Sequence, residues 1–169
     1  MPGVVRVLIL ADTHLRSDRP GWLPDALTEE MRVADVVLHA GDVLDRGVLE
    51  RLGRQAAPAP LHAVLGNNDG ALVGILPETK VVDVAGVRIG IIHDSGRSAG
   101  RALRLKRRFP DCDAVVFGHS HEPMATRGEG DQLLFNPGSP TQRRMQPRPS
   151  YGWLLVEAGR IVDHRIETI

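Results

Sequence analysis

Short apolar runs rich in valine, leucine and isoleucine recur along the chain, and most of them stop abruptly at polar residues. The first, Val4–Leu10, is almost continuously apolar, as strands buried on both faces are. Similar runs predict strands over 35–40, 61–65, 79–84, 87–92, 114–117, 132–135, 151–157 and 160–166. Helical spacing predicts helices over 23–33 and 46–55, and a third from Ser98 as N-cap to Phe109. Strands first alternate with helices and then pair as hairpins, which is typical of α/β proteins.

Length and composition match one globular domain over residues 1–169. The chain is 42% hydrophobic and 25% charged, and 169 residues can bury a core without disulfides. Lysine plus arginine and aspartate plus glutamate both number 21, so no global basic field attracts nucleic acid or anionic membrane. A local phosphate site is still compatible with this balance.

Cysteine content and the N-terminal sequence limit the possible covalent links, metal sites and cellular location of the protein. The one cysteine, Cys112, excludes an internal disulfide and a cysteine-based zinc site, and we expect it to be a buried, inert thiol. The sequence has no secretory signal pattern and no apolar run of about 20 residues that could span a bilayer. We therefore expect a soluble cytoplasmic protein that does not enter a membrane.

Five of the predicted strands end in side chains that commonly ligate metals. These residues are Asp12, His14, Asp42, Asn67, His93, His119 and His121. The successive intervals along the series Asp12, Asp42, Asn67, His93 and His119 are 30, 25, 26 and 26 residues, about one strand plus its return connection. Because the carboxyl ends of parallel strands meet at one edge of a sheet, all seven side chains are expected in a single crevice.

Three carboxylate or amide oxygens and four imidazoles are too many ligands for one metal ion. They suit two ions that share a bridging carboxylate, and this donor set fits Mn²⁺, Fe, Zn²⁺, Ni²⁺ or Co²⁺ better than Ca²⁺. Two ions about 3.5–4 Å apart can lower the pKa of a shared water and hold both oxygens of an in-line displacement. Phosphoryl transfer is the reaction that most needs such a pair.

The order of these residues resembles the signature of the calcineurin-like metallophosphoesterases. That signature is D-x-H, G-D, G-N-x-D, H and G-H-x-H, and here it corresponds to Asp12–His14, Gly41-Asp42, Gly66–Asp69, His93 and Gly118–His121. The later turn Asn136-Pro137-Gly138-Ser139 is similar to that of the small, single-domain YfcE-type phosphodiesterases. The resemblance extends over nearly the whole chain.

The resemblance implies a four-layer αββα sandwich, with two mixed β-sheets packed face to face and helices outside. It also implies a dinuclear phosphodiesterase whose nucleophile is a metal-bridging hydroxide, with Mn²⁺ as the first expectation for both ions. Asp12, His14 and His121 would hold the first metal, Asn67, His93 and His119 the second, and Asp42 would bridge them. Asn68 and Asp69, in the segment that matches G-N-x-D, are the expected catalytic residues.

Two positions depart from the family pattern. Many relatives have histidine where this chain has Asn68, which can donate a hydrogen bond but cannot act as a general acid near neutral pH. We therefore expect a preference for diesters and good leaving groups. Asp94 replaces the usual glycine after His93, and it either orients that histidine or shapes a turn.

Two other functions remain open on the same sequence. One is a phosphomonoesterase or nucleotide phosphatase that uses the same centre. The other is a non-catalytic scaffold, because a retromer subunit resembles this family yet is thought to act through its surfaces. The presence of all seven ligand residues favours an enzyme that acts on a phosphodiester small molecule or nucleotide. A homo-oligomer is compatible with this function.

A few residues outside the signature have alternative interpretations. His39 lies near the Asp42 strand end, but a hydrogen-bonded core histidine is the favoured reading. Arginines can bind substrate phosphate, and three lie in polar loops where solvation is equally expected: Arg97, Arg143 and Arg144. Trp22 could line the mouth of the site, whereas Trp153 is expected in the core.

Overall fold

A computed structural model describes residues 3–169, which form ten strands and three α-helices. In chain order these are β1 (Val5–Leu10), α1 (Asp25–Arg32), β2 (Val36–His39), α2 (Arg46–Ala56), β3 (Leu61–Ala63), β4 (Thr79–Val84), β5 (Val87–Ile92), α3 (Arg101–Arg108), β6 (Ala114–Val116), β7 (Met124–Arg127), β8 (Leu133–Asn136), β9 (Ser150–Glu157) and β10 (Arg160–Thr168). Short 3₁₀ helices lie at Gly70–Leu72 and Glu129–Asp131.

The strands form two mixed five-stranded sheets. The first has the order β10-β9-β1-β2-β3, in which β1, β2 and β3 are parallel and β9 and β10 are antiparallel additions. The second has the order β4-β5-β6-β8-β7, with β5, β6 and β8 parallel and an antiparallel strand at each edge. Five of the six parallel strands, all except β8, lead into the predicted ligand residues.

The strand β1 shows how the layers are built. Its side chains alternate between two buried faces, so Val7 and Ile9 belong to one apolar cluster and Leu8 and Leu10 to another. The first cluster joins the inner faces of the two sheets. The second is completed by apolar side chains of α1 and α2, and a third packs α3 on the outer face of the second sheet. These layers confirm the predicted αββα sandwich.

Most element boundaries differ from the predictions by a few residues, and two local features differ in kind. The predicted N-cap Ser98 is wrong, because α3 begins after Gly100, whose φ of 71° ends the preceding loop. The strand β7 was not predicted. Its side chains are mostly exposed at the sheet edge, so it lacks the apolar pattern of the other strands.

Within residues 3–169, the three helices are too short and too polar for any of them to cross a lipid bilayer. Cys112 is buried as expected, and burial raises the pKa of its thiol.

Candidate metal centre

All seven predicted ligand residues lie in the loops that leave the carboxyl ends of five parallel strands. The first sheet contributes Asp12 and His14 after β1, Asp42 after β2 and Asn67 after β3. The second sheet contributes His93 after β5 and His119 and His121 after β6. The prediction that the seven side chains share one crevice is therefore confirmed, but the position of that crevice differs from the expected one. The crevice lies where the ends of two packed sheets meet, rather than along one sheet.

One side of the centre is formed by Asp12, His14 and His121. The Nε2 atoms of the two histidines are 3.2 Å apart. Oδ1 of Asp12 lies 4.0 Å from Nε2 of His14 and 3.6 Å from Nε2 of His121. One donor atom from each residue lies within 4.8 Å of the others, a separation that one metal ion can span.

The other side is formed around His93. Its Nε2 atom is 2.9 Å from Oδ1 of Asn67, and that same oxygen is 3.0 Å from Nδ1 of His119. Asp42 lies between the two sides, because its Oδ2 is 3.2 Å from Nε2 of His14 and 3.5 Å from Nε2 of His93. The contacts thus connect all seven side chains in one cluster.

The backbone at this cluster is locally strained. Five of the seven residues have φ values in the left-handed region, which non-glycine residues rarely adopt: Asp12 (53°), His14 (44°), Asp42 (60°), His119 (69°) and His121 (59°). Such conformations cost about 1–3 kcal/mol each and persist where surrounding contacts enforce them. They are concentrated here in the loops that turn the ligand side chains toward one another.

Two glycines make room for the carboxylates. A Cβ atom on Gly118 would lie 2.7 Å from Oδ2 of Asp12, and one on Gly66 would overlap Asp42. Gly118 is not among the glycines with positive φ. Its importance comes from the close approach of Asp12.

The buried carboxylates differ in their surroundings. Burial raises the pKa of Asp12 to about 8, and the nearby charge of Asp42 contributes in the same direction. Oδ2 of Asp12 is buried without a hydrogen-bond partner. Burial acts against ionisation of Asp42 as well, but hydrogen bonds from the backbone and side chain of Asn68 outweigh it and lower the pKa of Asp42.

The histidines are held in defined orientations by backbone carbonyls. Nδ1 of His93 donates to the carbonyl of Ala40 at 2.7 Å, and Nδ1 of His121 donates to that of Gln142 at 2.6 Å. Because a carbonyl only accepts hydrogen bonds, both Nδ1 atoms carry hydrogen. Burial, the largest influence, lowers the pKa of His14 and of His121, and the positive charge of Arg144 lowers both further.

The predicted catalytic residues Asn68 and Asp69 both act on Asp42. Nδ2 of Asn68 donates to Oδ2 of Asp42 at 2.8 Å, and its backbone N–H donates to Oδ1 at 2.9 Å. The buried carboxylate of Asp69 accepts backbone N–H bonds from Asp42, Leu44 and Gly66 at 2.7–2.9 Å. Asp69 thus joins the loops after β2 and β3.

The turn Asn136–Ser139 after β8 supports the centre in a way that the sequence did not indicate. Oγ of Ser139 donates to the carbonyl of Asp12 at 2.7 Å. Nδ2 of Asn136 donates to the carbonyl of Gly118 at 3.1 Å. The turn motif was a visible signal, but its bonding partners lie more than a hundred residues away in one case and could not be deduced from it.

The structure decides the alternative interpretations of three further residues, His39, Asp94 and Trp153. His39 is fully buried, with Nε2 3.0 Å from Oγ1 of Thr13, so it is the core histidine that was favoured. Asp94 accepts a hydrogen bond from the backbone N–H of Gly96 and therefore shapes a turn. Trp153 is buried in the core.

Trp22 does not line the mouth of the centre. The guanidinium of Arg51 lies 3.6 Å from the centroid of its ring, on the outer side of the first sheet. The cavity of about 310 Å³ beside Trp22 is lined by none of the seven ligand residues.

Of the three candidate arginines, Arg144 approaches the centre. Its Nη1 donates to the carbonyl of His119 at 3.3 Å. Arg143 instead donates to the carbonyl of Gln146, and the carbonyl of Arg97 accepts from Arg104.

Comparison with known proteins agrees with this geometry. Residues 5–159 match the model of the calcineurin-like phosphoesterase superfamily domain. A probable metallophosphoesterase of Methanothermobacter thermautotrophicus is 31% identical over 162 residues, which cover 95% of this chain and 91% of the relative.

Two solved structures share the fold over nearly their full lengths. The Thermotoga maritima protein TM1076 is 29% identical, with a TM-score of 0.74 and coverage of 98% and 99% of the two chains. Vps29 of Entamoeba histolytica, solved as a complex with Zn²⁺, is 22% identical, with a TM-score of 0.73 and coverage of 98% of each chain. The matched domain, the related sequence and the clustered ligand residues lead to one conclusion: this chain belongs to the calcineurin-like phosphoesterase superfamily.

Proposed function

We propose that this protein is a phosphodiesterase that depends on two divalent metal ions held by the seven clustered residues. The main observation behind the proposal is that lone pairs of oxygen and nitrogen atoms point at one another with no hydrogen atom between them. Oδ2 of Asp12 is buried and unpartnered, and ring nitrogens from both sheets converge on the same carboxylates.

The protonation of His93 and His121 makes this argument specific. Because their Nδ1 atoms donate to carbonyl groups, the Nε2 atoms of the neutral rings present lone pairs to the centre. Nε2 of His93 then faces Oδ1 of Asn67 at 2.9 Å and Oδ2 of Asp42 at 3.5 Å. Such facing donors repel each other unless a cation lies between them, so the residues fit a metal centre.

The distances favour the division of ligands expected from the family. Asp12, His14 and His121 would hold one ion, and Asn67, His93 and His119 the other. Asp42 would bridge them, since its Oδ2 lies within 3.5 Å of a histidine on each side. Mixed oxygen and imidazole donors suit Mn²⁺ as the first choice and accommodate Fe, Zn²⁺, Ni²⁺ or Co²⁺.

When bound, such a pair of ions would generate the nucleophile from a shared water and stabilise the negative charge of the transition state. The protein's part is to fix the geometry. Asn68 orients Asp42 through two hydrogen bonds, and the carboxylate of Asp69 accepts a hydrogen bond from the backbone N–H of Asp42. On these contacts Asp69 is a positioning residue.

Substrate choice follows from what the centre lacks. Asn68 has no acidic proton to give to a leaving group, and its amide is already bonded to Asp42. A diester with a good leaving group needs no such proton, whereas an alkyl monoester does. We therefore place phosphodiesters, including nucleotide diesters, ahead of phosphomonoesters as substrates.

The likeness to Vps29 supports one rival, a protein that works through its surfaces. Metal binding alone does not separate the two functions, because the Entamoeba Vps29 was itself solved with Zn²⁺. Hydrolysis does separate them. An enzyme should turn over substrate with a rate that depends on the metal, whereas a scaffold should not.

The test is a substrate panel on metal-loaded protein. Bis(p-nitrophenyl) phosphate and p-nitrophenyl phosphate would be compared at matched concentrations, with Mn²⁺ and each of the other ions, against protein treated with chelator. We expect metal-dependent hydrolysis with higher kcat/KM for the diester. Higher kcat/KM for the monoester would support a phosphatase, and no turnover with any ion would support the scaffold.

A further inference from the structure

Arg144 combines three features that no other arginine of the loop after β8 has together. Its guanidinium donates to the carbonyl of His119, it acts electrostatically on residues of the first metal side, and its backbone lies in the left-handed region with φ of 50°. The strained backbone is notable because the same conformation occurs at five of the metal-ligand residues.

The segment before Arg144 is fixed to both halves of the centre. Oγ of Ser139 donates to the carbonyl of Asp12, and Oγ1 of Thr141 donates to that of Thr13 at 2.6 Å. The carbonyl of Gln142 accepts from His121 of the second sheet. The backbone two residues before Arg144 is therefore hydrogen-bonded to the ligand loops, which gives the long side chain of Arg144 a defined starting point.

The guanidinium of Arg144 is not part of an ion pair among the described residues, although its positive charge acts to lower the pKa of Asp12. Among the ion pairs of residues 3–169, none joins Arg144 to a carboxylate within 4.0 Å. Its hydrogen-bond acceptor is a neutral carbonyl, which occupies one of the five N–H groups of the guanidinium. The remaining N–H groups form a fork that matches the oxygens of a phosphate group.

We propose that Arg144 binds a non-bridging oxygen of the substrate phosphate and positions that phosphate on the side of Asp12, His14 and His121. This inference rests on the proposed function and adds to it a residue that contacts substrate without contacting metal. Its chemistry applies to any phosphate ester, and the charge it contributes becomes more valuable as negative charge grows on the phosphoryl oxygens in the transition state.

The adjacent arginine supplies the matched control. Arg143 has the same side chain one position earlier, but its guanidinium donates to the carbonyl of Gln146 within its own loop. Removal of either side chain changes the net charge equally. A difference between Arg144→Ala and Arg143→Ala therefore reports position rather than overall charge.

The experiment measures two quantities on metal-loaded protein. The first is kcat/KM for bis(p-nitrophenyl) phosphate, and the second is the affinity for inorganic phosphate by isothermal titration calorimetry. We expect Arg144→Ala to lose about 10- to 100-fold in kcat/KM and about tenfold in phosphate affinity, with two metal ions still bound. Arg143→Ala should remain within about twofold of the wild type, and Arg144→Lys should fall between them because it keeps the charge without the fork.

Equal behaviour of Arg144→Ala and Arg143→Ala in both measurements would overturn the inference. So would loss of bound metal in Arg144→Ala, because the side chain would then support the ligand loops instead of the substrate. A wild-type protein without hydrolytic activity would overturn the proposed function, and phosphate titration would still decide whether Arg144 binds the anion.

Discussion

The two sheets contribute different chemistry to the same centre. Loops of the first sheet provide every candidate oxygen ligand, from Asp12, Asp42 and Asn67, together with one candidate imidazole ligand. Loops of the second sheet provide imidazoles alone, from His93, His119 and His121. The carboxylate that follows His93, Asp94, accepts a hydrogen bond from the backbone N–H of Gly96.

This difference indicates that the two sheets have different roles in the centre. The first sheet concentrates negative charge that only a cation or a proton can compensate, as the raised pKa of Asp12 and its unpartnered oxygen show. The second sheet adds imidazole donors, and backbone carbonyls of Ala40 and Gln142 fix the orientations of two of them, His93 and His121. We therefore expect the loss of a first-sheet carboxylate to reduce metal binding more than the loss of a second-sheet histidine.

The largest effect is expected for Asp42→Ala, because it removes the anion shared by both sides of the centre. Hydrolysis of a diester should fall by about 10³-fold or more, and uptake of the second ion should be lost. Asp94→Ala is the matched control, since it removes a carboxylate beside His93 that contacts only the turn. Steady-state kinetics with metal analysis would check this, and similar rates for the two variants would refute the bridging role.

A smaller loss is expected for His119→Ala in the second sheet. It removes one neutral donor near Asn67 and leaves both carboxylates in place, so activity should fall by about 10²-fold and recover in part at high metal concentration. His62→Ala, which changes a histidine of β3 outside the centre, should have little effect. A loss as severe and as insensitive to metal as that of Asp42→Ala would contradict the proposed difference between the sheets.

Asp12 should make the stability of the metal-free protein depend on pH. Its pKa is about 8 when folded and near 4 when unfolded, so unfolding releases a proton between these values and stability falls as the pH rises from about 4 to 8. The difference corresponds to a few kcal/mol at the upper end, on the order of 1.4 kcal/mol per pKa unit before structural relaxation.

Asp12→Asn removes this charge and should flatten that part of the profile. Urea unfolding of both proteins in chelator at several pH values would measure the effect. The asparagine variant should be the more stable protein at pH 8 without metal and should gain less from added Mn²⁺. Parallel pH profiles for the two proteins would show that Asp12 is not an uncompensated charge.

The smallest effect is expected for Asn68→His, which should alter selectivity more than rate. A histidine there can protonate a leaving group, so the ratio of monoester to diester kcat/KM should rise by about tenfold. Asn68→Ala separates this gain from the lost hydrogen bond to Asp42. An unchanged ratio in Asn68→His would mean that a missing proton donor does not set the substrate preference.

The sequence predicted the fold where local pattern and burial agree. The strands β4 and β5 have the predicted bounds, since their alternating apolar residues flank a tight turn. The strand β7 was missed because its residues are exposed and its place is determined by pairing with β8. Likewise, Ser98 resembled a helix cap, but the positive φ of Gly100 determines where α3 begins.

The seven ligand residues were predictable because they follow the ends of five strands that recur at regular intervals. The supporting contacts were not. Every residue has a carbonyl, so nothing marked those of Ala40 and Gln142 as partners of the histidines. The carboxylate of Asp69 belonged to a visible motif, yet its three backbone partners depend on how the loops after β2 and β3 approach each other.

The most direct test of two cations held between the sheets is anomalous X-ray diffraction from crystals grown with Mn²⁺. The account predicts two peaks about 3.5–4 Å apart, with a carboxylate oxygen of Asp42 between them, His121 on one ion and His119 on the other. A single peak, or peaks away from these side chains, would contradict it.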